Sequence, residues 1–291
     1  MFAIVGAAGK IGYSTSLVLR EAGIPVRAIL RDATKAGRLS AIGCDIALAD
    51  LQDPASLSRA IANAHAVQVI CPPMPQAQDA VDDMRRSIES VAEALQQTRP
   101  NLVLAISDYG AHVGEGVGMP TMFHIFEQRL RKLEMAKVLL RSAEHMEGWG
   151  PVIPAAIATG ILPSLHHPIE KTFPTVSARD VGLIAADLLL CANAGTEEQI
   201  VHAEGPRRYS AVDVAAALSQ LLGRDVTAQA VPRSQWLDSL GRVVSASTAR
   251  LLAELYDAHN TGGLIDVEPQ GEIRYGTTEL IDALRPLVPL R

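Results

Sequence analysis

Residues 2–12 read Phe2-Ala3-Ile4-Val5-Gly6-Ala7-Ala8-Gly9-Lys10-Ile11-Gly12. Four apolar residues run into three glycines spaced by two, and a helical pattern begins directly afterwards. Glycine has a physical job at each place. The first permits a tight turn, the middle one lets a pyrophosphate approach the backbone, and the last lets the helix pack closely on the strand. The helix start beyond them offers free N–H groups and the positive end of a dipole. This strand–turn–helix setting predicts a dinucleotide site cradled by Gly6, Ala8, Gly9, Lys10, Ile11 and Gly12.

Outward from that stretch, apolar runs at 25–30, 45–49, 66–71 and 101–106 read as further strands. Apolar residues at three- and four-residue intervals predict helices over 11–21, 54–62, 77–97 and 124–142. Alternating strands and helices imply parallel strands joined by crossovers, an α/β doubly wound sheet of the Rossmann kind. Asp53 before Pro54 is a helix start, and Ser210 with Asp213 is a capping box opening a helix over 211–222. Asp180 is read as the cap of a helix over 181–191. Glycine and proline punctuate 148–174, which reads as a loop region over a pocket, and helical patterns dominate beyond Gly205. The expected division is residues 1–150 as the dinucleotide-binding domain and 151–291 as a smaller, mostly helical substrate domain.

The chain has 291 residues, enough for one large or two modest domains. Hydrophobic residues make up 48 % and charged residues 20 %, which excludes a disordered chain. A formal charge of −6 provides no overall attraction to nucleic acid or an anionic membrane, so neither is an expected partner. No apolar run approaches the roughly 20 residues of a membrane span, and the N-terminus lacks a signal-peptide pattern. The cysteines Cys44, Cys71 and Cys191 are few, odd in number and far apart, which fits a reducing cytoplasm.

The second strand ends Leu30-Arg31-Asp32, where residues that read the adenosine ribose sit. Arg31, with Lys35 a turn later, suits a 2′-phosphate through charge-assisted hydrogen bonds. The expectation is NADP(H) over NAD(H), with Asp32 beside Arg31 as the competing signal.

The glycine spacing resembles the short-chain dehydrogenase/reductase superfamily, and more specifically its atypical NmrA-like branch. Val26 to Asp32, Ala49 to Leu57, Ser177 to Gly182, and Glu204-Gly205-Pro206 with Asp213-Val214-Ala215 are similar to landmarks of that branch. The resemblance implies an NADP-binding Rossmann domain to which residues near 175–205 return, with a cleft against the smaller domain. It also implies that Asp50 and Leu51 flank the adenine and that Cys71 and Pro72 run beside the cofactor.

The superfamily's Tyr-x-x-x-Lys acid/base pair has no counterpart, since no tyrosine is followed by lysine four positions on. Ser107 matches the superfamily's serine and could hold a carbonyl oxygen or the nicotinamide amide. Tyr109 could reach the same space, although 107–110 equally reads as a turn. His124, one turn from Glu127, is similar to a His or Lys near a Glu in the branch and could supply a proton, or be an ordinary hydrogen-bonded histidine. Residues 141–147 resemble a Leu-Arg-Pro-Gly strand end, broken by Ala143 and Glu144. No metal site is expected, because nothing near His166-His167 completes a ligand set.

Two functions follow. One is an NADPH-dependent reductase of a small apolar or aromatic acceptor, quinone- or azo-type, tolerant of the missing tyrosine because positioning supplies much of the catalysis. The other is a non-catalytic NADP(H)-sensing regulator acting through a protein partner. A homodimer stays open in either case.

Overall fold

In the computed structural model the N-terminal apolar runs become β1 (Phe2–Val5), β2 (Val26–Leu30), β3 (Asp45–Leu48), β4 (Ala66–Ile70) and β5 (Leu102–Asp108). Between them lie α1 (Lys10–Glu21), α2 (Gly37–Ala41), α3 (Pro54–Ile61) and α4 (Ala80–Thr98). Next come α5 (Met119–Arg131), β6 (Ala136–Ser142), β7 (Glu144–His145), α6 (Ile153–Thr159), β8 (Ile161–Ser164) and β9 (Thr175–Val176). The remainder supplies α7 (Ala178–Cys191), β10 (Glu198–Glu204), α8 (Ala211–Leu222), β11 (Thr227–Ala230), α9 (Trp236–Leu240), α10 (Ala246–Thr261), β12 (Glu272–Tyr275) and α11 (Leu280–Leu284). The structure describes residues 1–191, 198–265 and 271–289.

Eight of the described strands form one sheet in the order β12-β10-β6-β5-β4-β1-β2-β3, parallel throughout. Such a sheet needs apolar cover on both faces. Val5, Ile88, Leu95, Val103 and Phe126 belong to one buried cluster, and Ile4, Leu19, Leu104, Leu140 and Leu188 to another. A third cluster, including Trp149, Phe173, Tyr209, Leu218 and Leu284, forms a separate core. Strand order reverses between β1 and β4, which opens a crevice at the carboxyl ends of the strands. Among the described residues no helix is long and apolar enough to cross a membrane.

Local chemistry sets the boundaries. Asp53 caps α3 by accepting from the N–H groups of Ala55 and Ser56, and Ser210 and Asp213 make the reciprocal capping box of α8. α4 starts later than residue 77, at Ala80, because Asp79 accepts from the N–H groups of Val81 and Asp82. The helix expected over 124–142 ends at Arg131, and β6 follows. Its charges disguised the strand: Lys137 reaches back to the Leu133 carbonyl and Arg141 is paired internally, so six of seven residues are buried. Asp180 does not cap α7. Ser177 Oγ accepts from the Asp180 N–H, the helix begins at Ala178, and the Asp180 carboxylate instead accepts from Thr278. The stretch read as a loop contains α6 and β8, the latter paired with β11. The mostly helical C-terminal part also returns β12 to the large sheet.

Candidate cofactor cleft and acceptor cavity

The crevice is a cleft of about 780 Å³. Gly6 turns into it with φ +74°, a left-handed value, and a Cβ on Gly12 would lie 2.6 Å from the Gly6 carbonyl oxygen. The turn can therefore be no bulkier than it is. Gly9 precedes α1, and no side chain caps that helix, so its first N–H groups are left for an anion. Lys10 sits 3.4 Å from Glu147, whose other carboxylate oxygen accepts from the Ala178 N–H.

At the tip of β2, Arg31 and Lys35 line the cleft. Asp32 is turned to local use: its carboxylate accepts from the N–H and hydroxyl of Thr34, which hold it below the usual carboxylate range. Arg38, which sequence reasoning missed, lies 4.2 Å over the Tyr13 ring and donates to the Ala8 carbonyl of the glycine turn. Asp50, Leu51, Gln52, Leu57, Ser87 and Gln68 line the same cleft. Gln68 is 1 % exposed, and among the described residues its Oε1 has no hydrogen-bond partner. An orphaned amide oxygen in the wall of a cleft fits a bound group with N–H donors. The only hint in the sequence was one polar residue inside Ala66-Val67-Gln68-Val69-Ile70.

Of the expected cofactor residues, the six of the glycine turn and Arg31, Lys35, Asp50, Leu51 and Pro72 all line this cleft. Cys71 does not: it is fully buried in the core, where burial pushes its thiol up to about 12, so it stays protonated. Ser107 lines a second cavity instead.

That cavity, about 210 Å³, lies at the ends of β4, β5 and β6 and shares Ile70 and His145 with the cleft. Its apolar wall includes Ile106, Phe123, Pro174 and Leu255. Ser107 and Tyr109 both face it, but both hydroxyl protons are committed. Ser107 Oγ donates to Glu127 at 2.7 Å, and the Tyr109 hydroxyl donates to Glu204 at 2.8 Å. Glu127, 0 % exposed, is held by Nε and Nη2 of Arg141 at 2.9 and 2.8 Å. His124 does not meet Glu127 across the helix face. Its Nδ1 lies 2.9 Å from the Ala111 carbonyl, outside the linings of both cavities.

The cavity's titratable wall comes from residues that sequence reasoning did not select. His145 lies 3.1 Å from Ser142 Oγ, and burial pulls its ring below the ordinary histidine value against the opposing influence of Glu147 and Glu144. It is therefore neutral near pH 7. Burial alone would push Glu144 up, but His166, His259 and His145 together hold its carboxyl below the usual range. Glu144 and His145 fall within 141–147, where the resemblance was broken, while nothing near His259 in the sequence marks it.

Residues 6–157, just over half the chain, match the profile of the NAD(P)H-binding family. The chain belongs to that family. This NAD(P)H-binding protein is 28 % identical to the NAD(P)H azoreductase of Xenophilus azovorans over 275 residues, covering 93 % of this chain and 92 % of the relative. It is 23 % identical to quinone oxidoreductase 2 of Escherichia coli over 269 residues, 91 % and 90 % of the two chains. A solved structure of NADPH-dependent quinone oxidoreductase from Escherichia coli, complexed with NADPH, shares the fold with a TM-score of 0.74 at 20 % identity, over 99 % of each chain. NmrA, described as a negative transcriptional regulator, shares it with a TM-score of 0.70 at 16 % identity, over 91 % of this chain and 84 % of that one. The expected Rossmann sheet stands, and NmrA shares its fold.

Proposed function

We propose that this protein is an NADPH-dependent reductase of small apolar or aromatic acceptors of the quinone or azo type. The observation that carries the reading is the junction of the two cavities at Ile70 and His145, which lets one end of a dinucleotide meet a largely apolar chamber. The names of the azoreductase and quinone oxidoreductase relatives support it. A bound reduced nicotinamide supplies a hydride.

The chain's own residues bind and orient. The Gly6–Gly12 turn and the start of α1 receive the pyrophosphate, Arg31 and Lys35 the 2′-phosphate, and Asp50, Leu51 and Gln68 the adenine. Ser107, its proton given to Glu127, offers lone pairs suited to the carboxamide N–H. Ile106, Phe123 and Leu255 exclude water from the acceptor. In this reading residues 1–150, with 175–205, form the cofactor unit, and the rest closes the acceptor side.

The test is fluorescence titration with NADPH and NADH, then a panel of quinones and azo dyes. Arg31→Ala should raise the Kd for NADPH about tenfold, the worth of a charge-assisted hydrogen bond, and leave that for NADH within twofold. Equal losses for both cofactors would remove the NADP preference. Tight NADPH binding without oxidation by any acceptor would sink the reductase and favour a dinucleotide-sensing regulator, the reading that the committed Ser107 and Tyr109 protons suit.

A further inference from the structure

Reduction of a quinone or an azo bond needs a proton as well as a hydride. Within the acceptor cavity, Ser107 and Tyr109 donate their protons to carboxylates, and His145 is neutral near pH 7. The remaining imidazole is His259, in the last turn of α10, where the helix dipole favours a cation. Its Nε2 lies 3.8 Å from Glu144 Oε2, and the same oxygen lies 3.0 Å from His166 Nε2. The His166 and His259 rings meet at 5.5 Å, with Phe173 stacked on His166. One carboxylate thus sits between two imidazoles. His259 and Glu144 line the cavity, whereas His166 is 3 % exposed and outside its lining.

We propose that His259 is the proton donor to the bound acceptor, with Glu144 and His166 as positioning residues, the carboxylate supplying the charge beside its ring and the imidazole packing against it. The inference rests on the reductase reading. A quinone gains a hydride from the reduced dinucleotide, which is thereby oxidised, and becomes the hydroquinone monoanion. The N–H bond of the His259 imidazolium breaks, an O–H bond forms, and the neutral ring takes its next proton from solvent. An azo bond takes the same hydride and proton to give the hydrazo compound.

Among the groups beside this assembly are His145 and Tyr256, which interact with Glu144, Lys171, bonded to the His259 carbonyl, and Asp108, which lines the same cavity. The Glu144 carboxylate, 3.8 Å from His259 Nε2, interacts electrostatically with that ring and would favour its charged form in this proposal, a support that Glu144→Gln removes. Activity that needs protonated His259 is lost as pH rises through the ring's pKa, and Glu144→Gln moves that loss to lower pH.

The experiment follows steady-state quinone reduction from pH 5.5 to 9 for the wild type, His259→Gln, Glu144→Gln and His166→Asn, alongside histidine side-chain NMR titration of the protein without cofactor. His259→Gln should lower kcat at least tenfold and erase the alkaline limb, with the Kd for NADPH within twofold of the wild type. Glu144→Gln should move both the kinetic limb and the His259 resonance to lower pH. Unchanged kcat and pH profile in His259→Gln overturn the proposal, as does a His259 resonance indifferent to Glu144→Gln. A wild type that reduces no acceptor overturns the reductase reading and this inference with it, a result distinct from an active wild type with an equally active variant.

Discussion

Two buried polar residues show how one side chain can be spent on the fold or kept for a ligand. Glu127 is fully enclosed, and its oxygens accept from Ser107, Arg131 and Arg141. Satisfied in this way, it fixes the end of β5 against α5 and leaves no capacity for a reacting group. Gln68 is as deeply buried, yet its Oε1 has no hydrogen-bond partner among the described residues. An unpaired buried amide oxygen destabilises the fold unless a ligand satisfies it. Gln68→Leu is therefore expected to act in opposite directions: the Tm without cofactor rises by a few degrees, while the Kd for NADPH rises five- to tenfold. Differential scanning fluorimetry and a fluorescence titration check the pair. A variant that loses stability and keeps its affinity would show that the amide serves the fold alone.

At the scale of elements, α1 and α7 pack with almost no space between their backbones. A Cβ on Gly182 would lie 2.5 Å from the Ile11 carbonyl oxygen and 2.6 Å from Ser14 Cβ. Thr15 adds a hydrogen bond to the Gly182 carbonyl at 3.2 Å. The first turn of α1 is thus held from behind by a helix distant in sequence. Gly182→Ala should cost about 1–3 kcal/mol by urea unfolding, the range for overpacking a filled contact, and should weaken NADPH binding because Ile11 belongs to the phosphate turn. Elements of this kind mark the limit of what the sequence discloses. The glycine turn, the caps at Asp53 and Ser210 and the first five strands were legible because each is set by neighbours a few residues away. β6 was not, since Lys137 and Arg141 break its apolar run and find their partners only in the folded chain. The same holds for the acceptor cavity: Glu144, His166 and His259 meet through tertiary contacts, and no spacing brings them together on paper.

For the whole molecule, the far end of the chain is structural. β12 pairs with β10 at the edge of the large sheet, Thr278 satisfies the buried Asp180 carboxylate of α7, and Glu279 accepts from the Tyr209 hydroxyl at 2.7 Å. A chain ending after Ile265 loses all three and leaves Asp180, 1 % exposed, without its hydrogen-bond donors at Thr278. Its urea transition should move to lower concentration and broaden, read by circular dichroism and tryptophan fluorescence together. A transition coinciding with that of the full chain would show that the segment is dispensable.

The position of β12 also bears on how the protein is made. A ribosome releases β1 to β6 long before residues 272–275 emerge, so during synthesis the open side of β10 waits unpaired, with backbone groups free to join a strand of another chain. Parallel pairing between distant segments is slow to begin with. Newborn chains should therefore pass through a state prone to clumping, and a cell that makes this protein has reason to shield them until the last strand is in place.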